Sequence, residues 1–524
     1  MDPNVRPDGV TRLAEVVSRA RRLRVEHLWW VLPPLLTVWM GFLHPLRRLD
    51  FWWHLKVGEI IVSERQIPSI DLFSFTRAGQ PFLHQNWLAE VLYHLVHRVG
   101  DLPLLILFNT VLLLLAWLPI CALCRQGQRT SRSALWGCLL ASASLGMYSN
   151  TRPQSYSFVL FAVFYWILWT YHSGERDVLW MLPPLMVLWV NLHGAFVLGI
   201  GLIAIILSAE AFSWAAGGLL RSTLHRTRLK KLGIILALAI LATGFNPAGL
   251  GVWRYVRQLQ VDPASQAFVR EWQVPDVTQL SGVLLYFGPL FLVLLVLLYA
   301  DVPLSLAELG LFVVFAVLGL AAQRNGIWFS LVAAPLVGRR VAGCKWPEPL
   351  GRWLAPSDTR AKRGGRRTEL PWLNWTLLFA LLGFTVLLSP WVRPYLALER
   401  LRPELVEEDT PVGAADYIEA HGLQGNIFHP QGYGDYLIWR LWPQQRSFID
   451  GRVHLFDEQL VKDYILAFQD ENWEARLAKY DIQYLLLSRH DDNAQSMIGN
   501  ARASERWSLL YEDEDSLLFG LARP

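Results

Sequence analysis

Runs of apolar residues approaching the ~20 that one helix needs to cross ~30 Å of hydrocarbon recur along most of this chain, and they limit its fold more than any other feature. They fall at 28–46, 102–123, 133–149, 156–172, 178–192, 195–214, 232–246, 281–300, 304–322, 327–343 and 371–389. The expectation is an α-helical polytopic membrane protein with about eleven transmembrane helices. Composition agrees: 53% of the 524 residues are hydrophobic and only 18% charged. That is too little charge to clothe an ordinary globule, which argues against a soluble cytosolic enzyme. Four cysteines are too few and too scattered for a disulfide framework, and Cys121 and Cys124, a C-x-x-C at the end of an apolar run, read as small packing hydrophobes.

Orientation follows from the basic residues, which favour short cytoplasmic loops. Residues 1–27 form an arginine-rich leader to a retained first helix. The loops with Arg125, Arg129 and Arg132, then Arg221 to Lys231, then the basic stretch 339–370, alternate as cytoplasmic loops should. The transmembrane domain spans 28–390. Residues 391–524 then lie outside; they carry about ten more acidic than basic residues. Short strands at 425–429, 447–450, 482–488 and 507–511, with helices at 411–421, 457–469 and 472–480, make this tail a small external α/β domain. The external loop 47–100 alternates apolar patches with charges at helical spacing, as in helices lying on the membrane surface, with Trp52 and Trp53 at headgroup level.

Polar residues gather at the helix ends expected to face outward: Asp50 and His54 after the first crossing, Ser149 to Gln154, Asn191 and His193, Asn246, and Gln323 to Asn325. Asp71, His84 and Glu90 in the first loop and Glu271 and Trp272 in the second join them. Ionisable groups are costly near hydrocarbon and persist where they line a cavity, so a hollow opening outward is expected. Asp50 and His54, four residues apart, would share a helix face. A carboxylate beside a dry cavity has a raised proton affinity and can act as general base; a helix cap is the plainer role. Asp71 is open between chemistry and an Asx turn, and His54 between packing, phosphate contact and metal ligation. Asp50, His54, Asp71, His84 and Glu90 together offer ligands for a divalent metal, Mg or Mn, without a tight ligand spacing. Arg152 and Arg324 suit a phosphate or pyrophosphate group, or snorkel to anionic lipid.

These residues resemble the integral-membrane GT-C glycosyltransferases, which transfer sugars from polyprenyl-phosphate carriers. The resemblance covers the whole plan, with an Asp directly after the first helix. Its local markers are D-x-W-W-H-L-x-x-G-E at Asp50 to Glu59, P-x-x-D-x-F-S-F-T at Pro68 to Thr76, Arg152-Pro153-Gln154, Asn191 to Gly194, Asn246-Pro247, Arg324-Asn325, Gly434 to Leu437 and Ile449 to Arg452. The resemblance implies an inverting transferase in a bacterial inner membrane. Its donor would be a polyprenyl-phosphate sugar, and its acceptor an external glycan, lipid or protein; membrane lipid, and no nucleic acid, would be its other partner. Asp50 would be the base, with His54 and Asp71 catalytic. His84, Glu90, Arg152, Gln154, His193, Asn246, Arg324 and Asn325 would bind substrate or lipid phosphate. A silent assembly factor on this scaffold, and a carrier or flippase for lipid-linked solutes, are the competing expectations.

Overall fold

The computed structural model describes residues 23–126, 131–216, 223–348, 370–396, 405–469 and 472–522. Most of the basic leader and of the basic loop 339–370, with Arg129 and Arg221, lies outside the described residues. Every predicted crossing falls on a helix. In chain order the described α-helices of six or more residues before the tail are α1 (Val25–Leu43), α2 (Phe51–Glu64), α3 (Trp87–Arg125), α4 (Ser131–Met147), α5 (Gln154–His172), α6 (Leu182–Leu192), α7 (Val197–Ala216), α8 (Thr223–Ala242), α9 (Val252–Val261), α10 (Pro263–Phe268), α11 (Gly288–Tyr299), α12 (Leu306–Ala321), α13 (Gly326–Arg340) and α14 (Pro371–Leu387); α2, α9 and α10 carry no predicted crossing. Among the described residues, three helical stretches are long and apolar enough to cross a membrane by length and composition: Trp87–Arg125, Gly194–Ala216 and Leu280–Tyr299.

Small residues let these helices approach closely, the usual device where lipid is the solvent. A side chain on Gly137 of α4 would strike the Ala334 carbonyl of α13, and Gly338 of α13 lies against Cys124 of α3. Cys121 and Cys124 are buried free thiols. At the ends of the helices opposite the candidate site, Arg340 of α13 grips Glu308 of α12 with two hydrogen bonds, of 2.9 and 2.6 Å. Glu308 also completes a capping box with Ser305 at the start of α12.

The first loop departs from its expected place on the membrane surface. Phe51, Trp52, Trp53 and Leu55 of α2 are all buried. Helix α3 bends at Gly100 and Asp101, so that residues 87–99 form a separate arm that packs on α2. The tail covers both: Trp52 packs edge-on against Tyr436 at 5.1 Å and beside Trp439 at 4.7 Å. An apolar face that looks interfacial in sequence is an interdomain core.

The tail comprises α15 (Val412–Ala420), β1 (Asn426–Phe428), α16 (Gln431–Leu441), α17 (Glu458–Gln469), α18 (Trp473–Ala478), β2 (Ile482–Ser488), α19 (Ala494–Ala503), β3 (Trp507–Glu512) and β4 (Ser516–Leu521). Its sheet runs β1-β2-β4-β3, with β1 and β2 parallel and the other pairs antiparallel. Helices α16 and α19 and strand β4 were not expected. The predicted strand at 447–450 is corrected: Ser447 hydrogen-bonds with the backbone of Phe73 and Phe75 in the first loop and takes no place in the sheet.

Candidate active site

Asp50 stands between α1 and α2 with φ at +68°, a backbone conformation that a residue with a Cβ seldom adopts. This turn takes Asp50 out of helical phase with α2, and its side chain caps no helix N–H. The carboxylate faces Arg152 instead, with Nη1 3.3 Å from Oδ2. Arg152 also forms a fork on Glu271, through Nη2 to Oε2 at 3.0 Å and Nη1 to Oε1 at 3.4 Å. Arg324 approaches the same Glu271 at 3.7 Å and stacks over Trp272, 4.3 Å from the ring centroid. Four separate connections of the helical bundle thus meet in one alternating row: Asp50, Arg152, Glu271 and Arg324.

Burial raises the Asp50 carboxyl above the ordinary range, and Arg152 opposes the shift. Its side chain still keeps 36% of its surface, so the group is recessed but reachable. Burial also pushes Glu271 upward, but Arg152 and Arg324 outweigh it and hold that carboxyl at about 2. A cavity of about 840 Å³ opens beside the row, walled by Trp272, Gln273, Val274, Phe287, Ala321 and Gln323. Asp50 does not line it.

The other expected site residues separate into distinct groups. His54 does not meet Asp50; its Nδ1 lies 2.8 Å from Glu90 Oε1, and His84 Nδ1 lies 3.7 Å from the other Glu90 oxygen. All three side chains are buried, with the His54 ring against Trp53. Asp71 accepts from the Phe73 and Ser74 backbone N–H groups, as an Asx turn does, and from Arg452 Nη1 at 2.6 Å. The five residues expected to share a metal therefore form no single ligand set. Among the described residues no group of three or more His, Cys, Asp or Glu is arranged to hold one.

His193 lies near Arg152 and Arg324, but its Nδ1 is engaged by Ser157 Oγ at 2.8 Å and by the Ala195 N–H. Gln154 is buried as the first residue of α5. Asn246 closes its own turn, donating to the Thr243 and Gly249 carbonyls and accepting from Ala248 N–H; Asn325 donates to the Leu318 carbonyl. Both asparagines thus hold local backbone in this structure.

Sequence reasoning marked Asp435 of α16 within a tail motif but gave it no site role. Its Oδ2 accepts the backbone N–H of Asp50 and its Oδ1 that of Gly451, at 2.8 Å for the latter. Asp450 lies close by, held by Arg452 through Nε and Nη2 at 2.9 and 2.6 Å. Burial, then the neighbouring charges of Asp450 and Asp50, push Asp435 well above the ordinary carboxylate range. Burial acts on Asp450 too, but Arg452 outweighs it and keeps that carboxyl low. The signal was present in Gly434-Asp435 and Asp450-Gly451-Arg452, where glycines beside acids permit close backbone approach.

No protein-family model matches the chain, and no curated protein matches it either. Solved structures do. The oligosaccharyltransferase of Archaeoglobus fulgidus, tethered to an acceptor peptide, aligns over 95% of this chain and 74% of its own, with TM-score 0.54 and 13% identity. The mycobacterial arabinofuranosyltransferase AftD aligns over 95% of this chain and 42% of its own, at TM-score 0.52 and 12% identity. The fold is that of the GT-C glycosyltransferases. ArnT of Cupriavidus metallidurans, bound to undecaprenyl phosphate, aligns over 94% of this chain and 97% of its own, at TM-score 0.49 and 11% identity. Within the GT-C fold, the row from Asp50 to Arg324 joins the connection after the first helix to three later ones, and the small sheet belongs to the C-terminal tail.

Proposed function

We propose that the protein is a membrane transferase that moves a sugar from a polyprenyl-phosphate-linked donor to an acceptor on the external face, with Asp50 as general base and inversion at the anomeric carbon. One observation carries this reading: a recessed carboxylate with raised proton affinity stands beside two guanidinium groups that converge on a single anionic position, now filled by Glu271. The acceptor X–H gives its proton to Asp50, and its freed electron pair attacks the anomeric carbon. The bond from that carbon to the phosphate oxygen breaks, and the pair leaves on the lipid phosphate. Arg152 and Arg324 stabilise the charge that develops there. The apolar cavity wall of Val274 and Phe287, continued by the exposed Val277, Leu280 and Leu284, offers a path for the isoprenoid chain.

The test is transfer by the full chain in lipid nanodiscs with polyprenyl-phosphate sugars as donors. Asp50→Asn abolishes transfer while the variant keeps its Tm in detergent; full activity in that variant removes Asp50 from the mechanism. The carrier alternative has less support. Among the described residues, ionisable groups at the opposite helix ends are tied in pairs such as Glu308–Arg340 and His172–Glu210.

A further inference from the structure

The stretch that delivers Asp50 is held by the tail at every second residue. Leu46 N–H donates to the Leu405 carbonyl at 2.8 Å, and the Leu46 carbonyl accepts from Glu407 N–H at 2.9 Å. Arg48 N–H donates to Glu407 Oε2 at 3.0 Å, and its guanidinium pairs with Asp409. Asp409 is itself fixed by the Tyr433 hydroxyl and Ser488 Oγ. Asp50 N–H then donates to Asp435. Leu46 forms an isolated bridge to Val406 and residues 48–50 bend, and the tail holds this segment at Leu46, Arg48 and Asp50.

The last of these bonds is unlike the rest. Asp435 has no exposed surface, and both its oxygens are spent on backbone N–H groups, of Asp50 and Gly451. Its hydrogen-bond partners among the described residues include no cation. Glycine is required on both sides: a Cβ on Gly434 would lie 2.1 Å from the Ile449 carbonyl oxygen, and one on Gly451 2.7 Å from Asp435 Oδ2. A domain serving only as a cover would need the packing of Trp52 on Tyr436 and Trp439 and nothing more. Burying a carboxyl group away from any cation is costly whether it is ionised or not. Here it is aimed at the N–H of a residue whose positive φ persists only where the surroundings over-determine it.

We infer that Asp435 is a positioning residue of the active site: it fixes the backbone of Asp50, and so aims the Asp50 carboxylate at Arg152 and the acceptor. The tail domain is then part of the catalytic apparatus. This rests on Asp50 acting as proposed above.

The experiment compares Asp435→Ala, Asp435→Asn and Asp50→Asn in the full chain in nanodiscs, by steady-state transfer and by amide hydrogen exchange. In Asp435→Ala, exchange in the peptide covering 47–51 rises at least roughly tenfold, while β2 keeps its protection. The kcat falls about 100-fold, the size expected of a misplacement near 1 Å, with KM for the donor within about twofold. Asp435→Asn, which keeps shape and one acceptor oxygen, changes both in the same direction by less, and it decides the matter should the alanine variant lose β2 protection. Unchanged exchange at 47–51 with kcat within about twofold overturns the inference. An active Asp50→Asn sinks the proposed role of Asp50 instead, and exchange at 47–51 then still decides whether Asp435 holds the turn.

Discussion

Arg452 of the tail reaches Asp71 of the first loop, Nη1 to Oδ1 at 2.6 Å, with neither side chain exposed. The same guanidinium holds Asp450, and the rings of Phe73 and Phe82 lie 5.2 and 5.1 Å from its Cζ. Two segments far apart in sequence are thereby locked by one cation.

Removing that cation leaves two buried carboxylates without their partner. Arg452→Met is expected to cost about 3–5 kcal/mol, the usual penalty for breaking a buried pair from one side. The measurement is the Tm in detergent together with protease sensitivity of the tail. A loss below about 1 kcal/mol would show that the pair is not a lock.

Gly451→Ala separates activity from stability. The added methyl would sit 2.7 Å from Asp435 Oδ2 and 2.9 Å from Asp50 Oδ1, closer than real Cβ atoms come. Transfer should fall at least about tenfold, the equivalent of ~1.4 kcal/mol in the barrier, with little change in Tm.

Acid should loosen the loop that carries Glu271. Its carboxyl is held at about 2 in the folded protein, against roughly 4.3 in an unfolded chain. The stabilising contribution is therefore complete above about pH 4.3 and is lost as pH falls toward about 2. Hydrogen exchange over 262–279, followed from neutral to acid pH, reads this directly, and Glu271→Gln should remove the dependence.

On the proposed function, the same residue would compete with the lipid phosphate. Glu271→Ala frees Arg152 and Arg324, and binding of polyprenyl phosphate to the purified protein should tighten by roughly tenfold, ~1.4 kcal/mol. Weaker binding would mean that Glu271 helps to build the site.

Transfer should rise with pH through an apparent pKa above the ordinary aspartate value of about 3.9, because burial raises the Asp50 carboxyl and only its ionised form can take a proton. The pH–rate profile of kcat/KM tests this. A profile flat from pH 4 to 8 would disconnect Asp50 from the proton transfer.

The parts of this architecture legible in the sequence are those written in local pattern. The apolar runs gave the helices, and Arg152 and Arg324 stood out because a cation at the end of an apolar helix needs a reason to be there. Asn246 and Asn325 carried the same polarity but turn back on their own loops, which spacing does not reveal. Phe448 and Ile449 are buried like strand residues, yet the neighbouring backbone pairs with the first loop and not with the sheet. Asp435 could not be paired with Asp50 from sequence, because 385 residues separate them and neither flank advertises the other.

That separation sets an order of events during synthesis. Every helix from α1 to α14 precedes the tail in the chain, so the bundle can insert and pack while residues 46–50 still lack the loop 405–409 and helix α16 that hold them. On the proposed function, the site would be complete only once the tail has docked on residues 46–50.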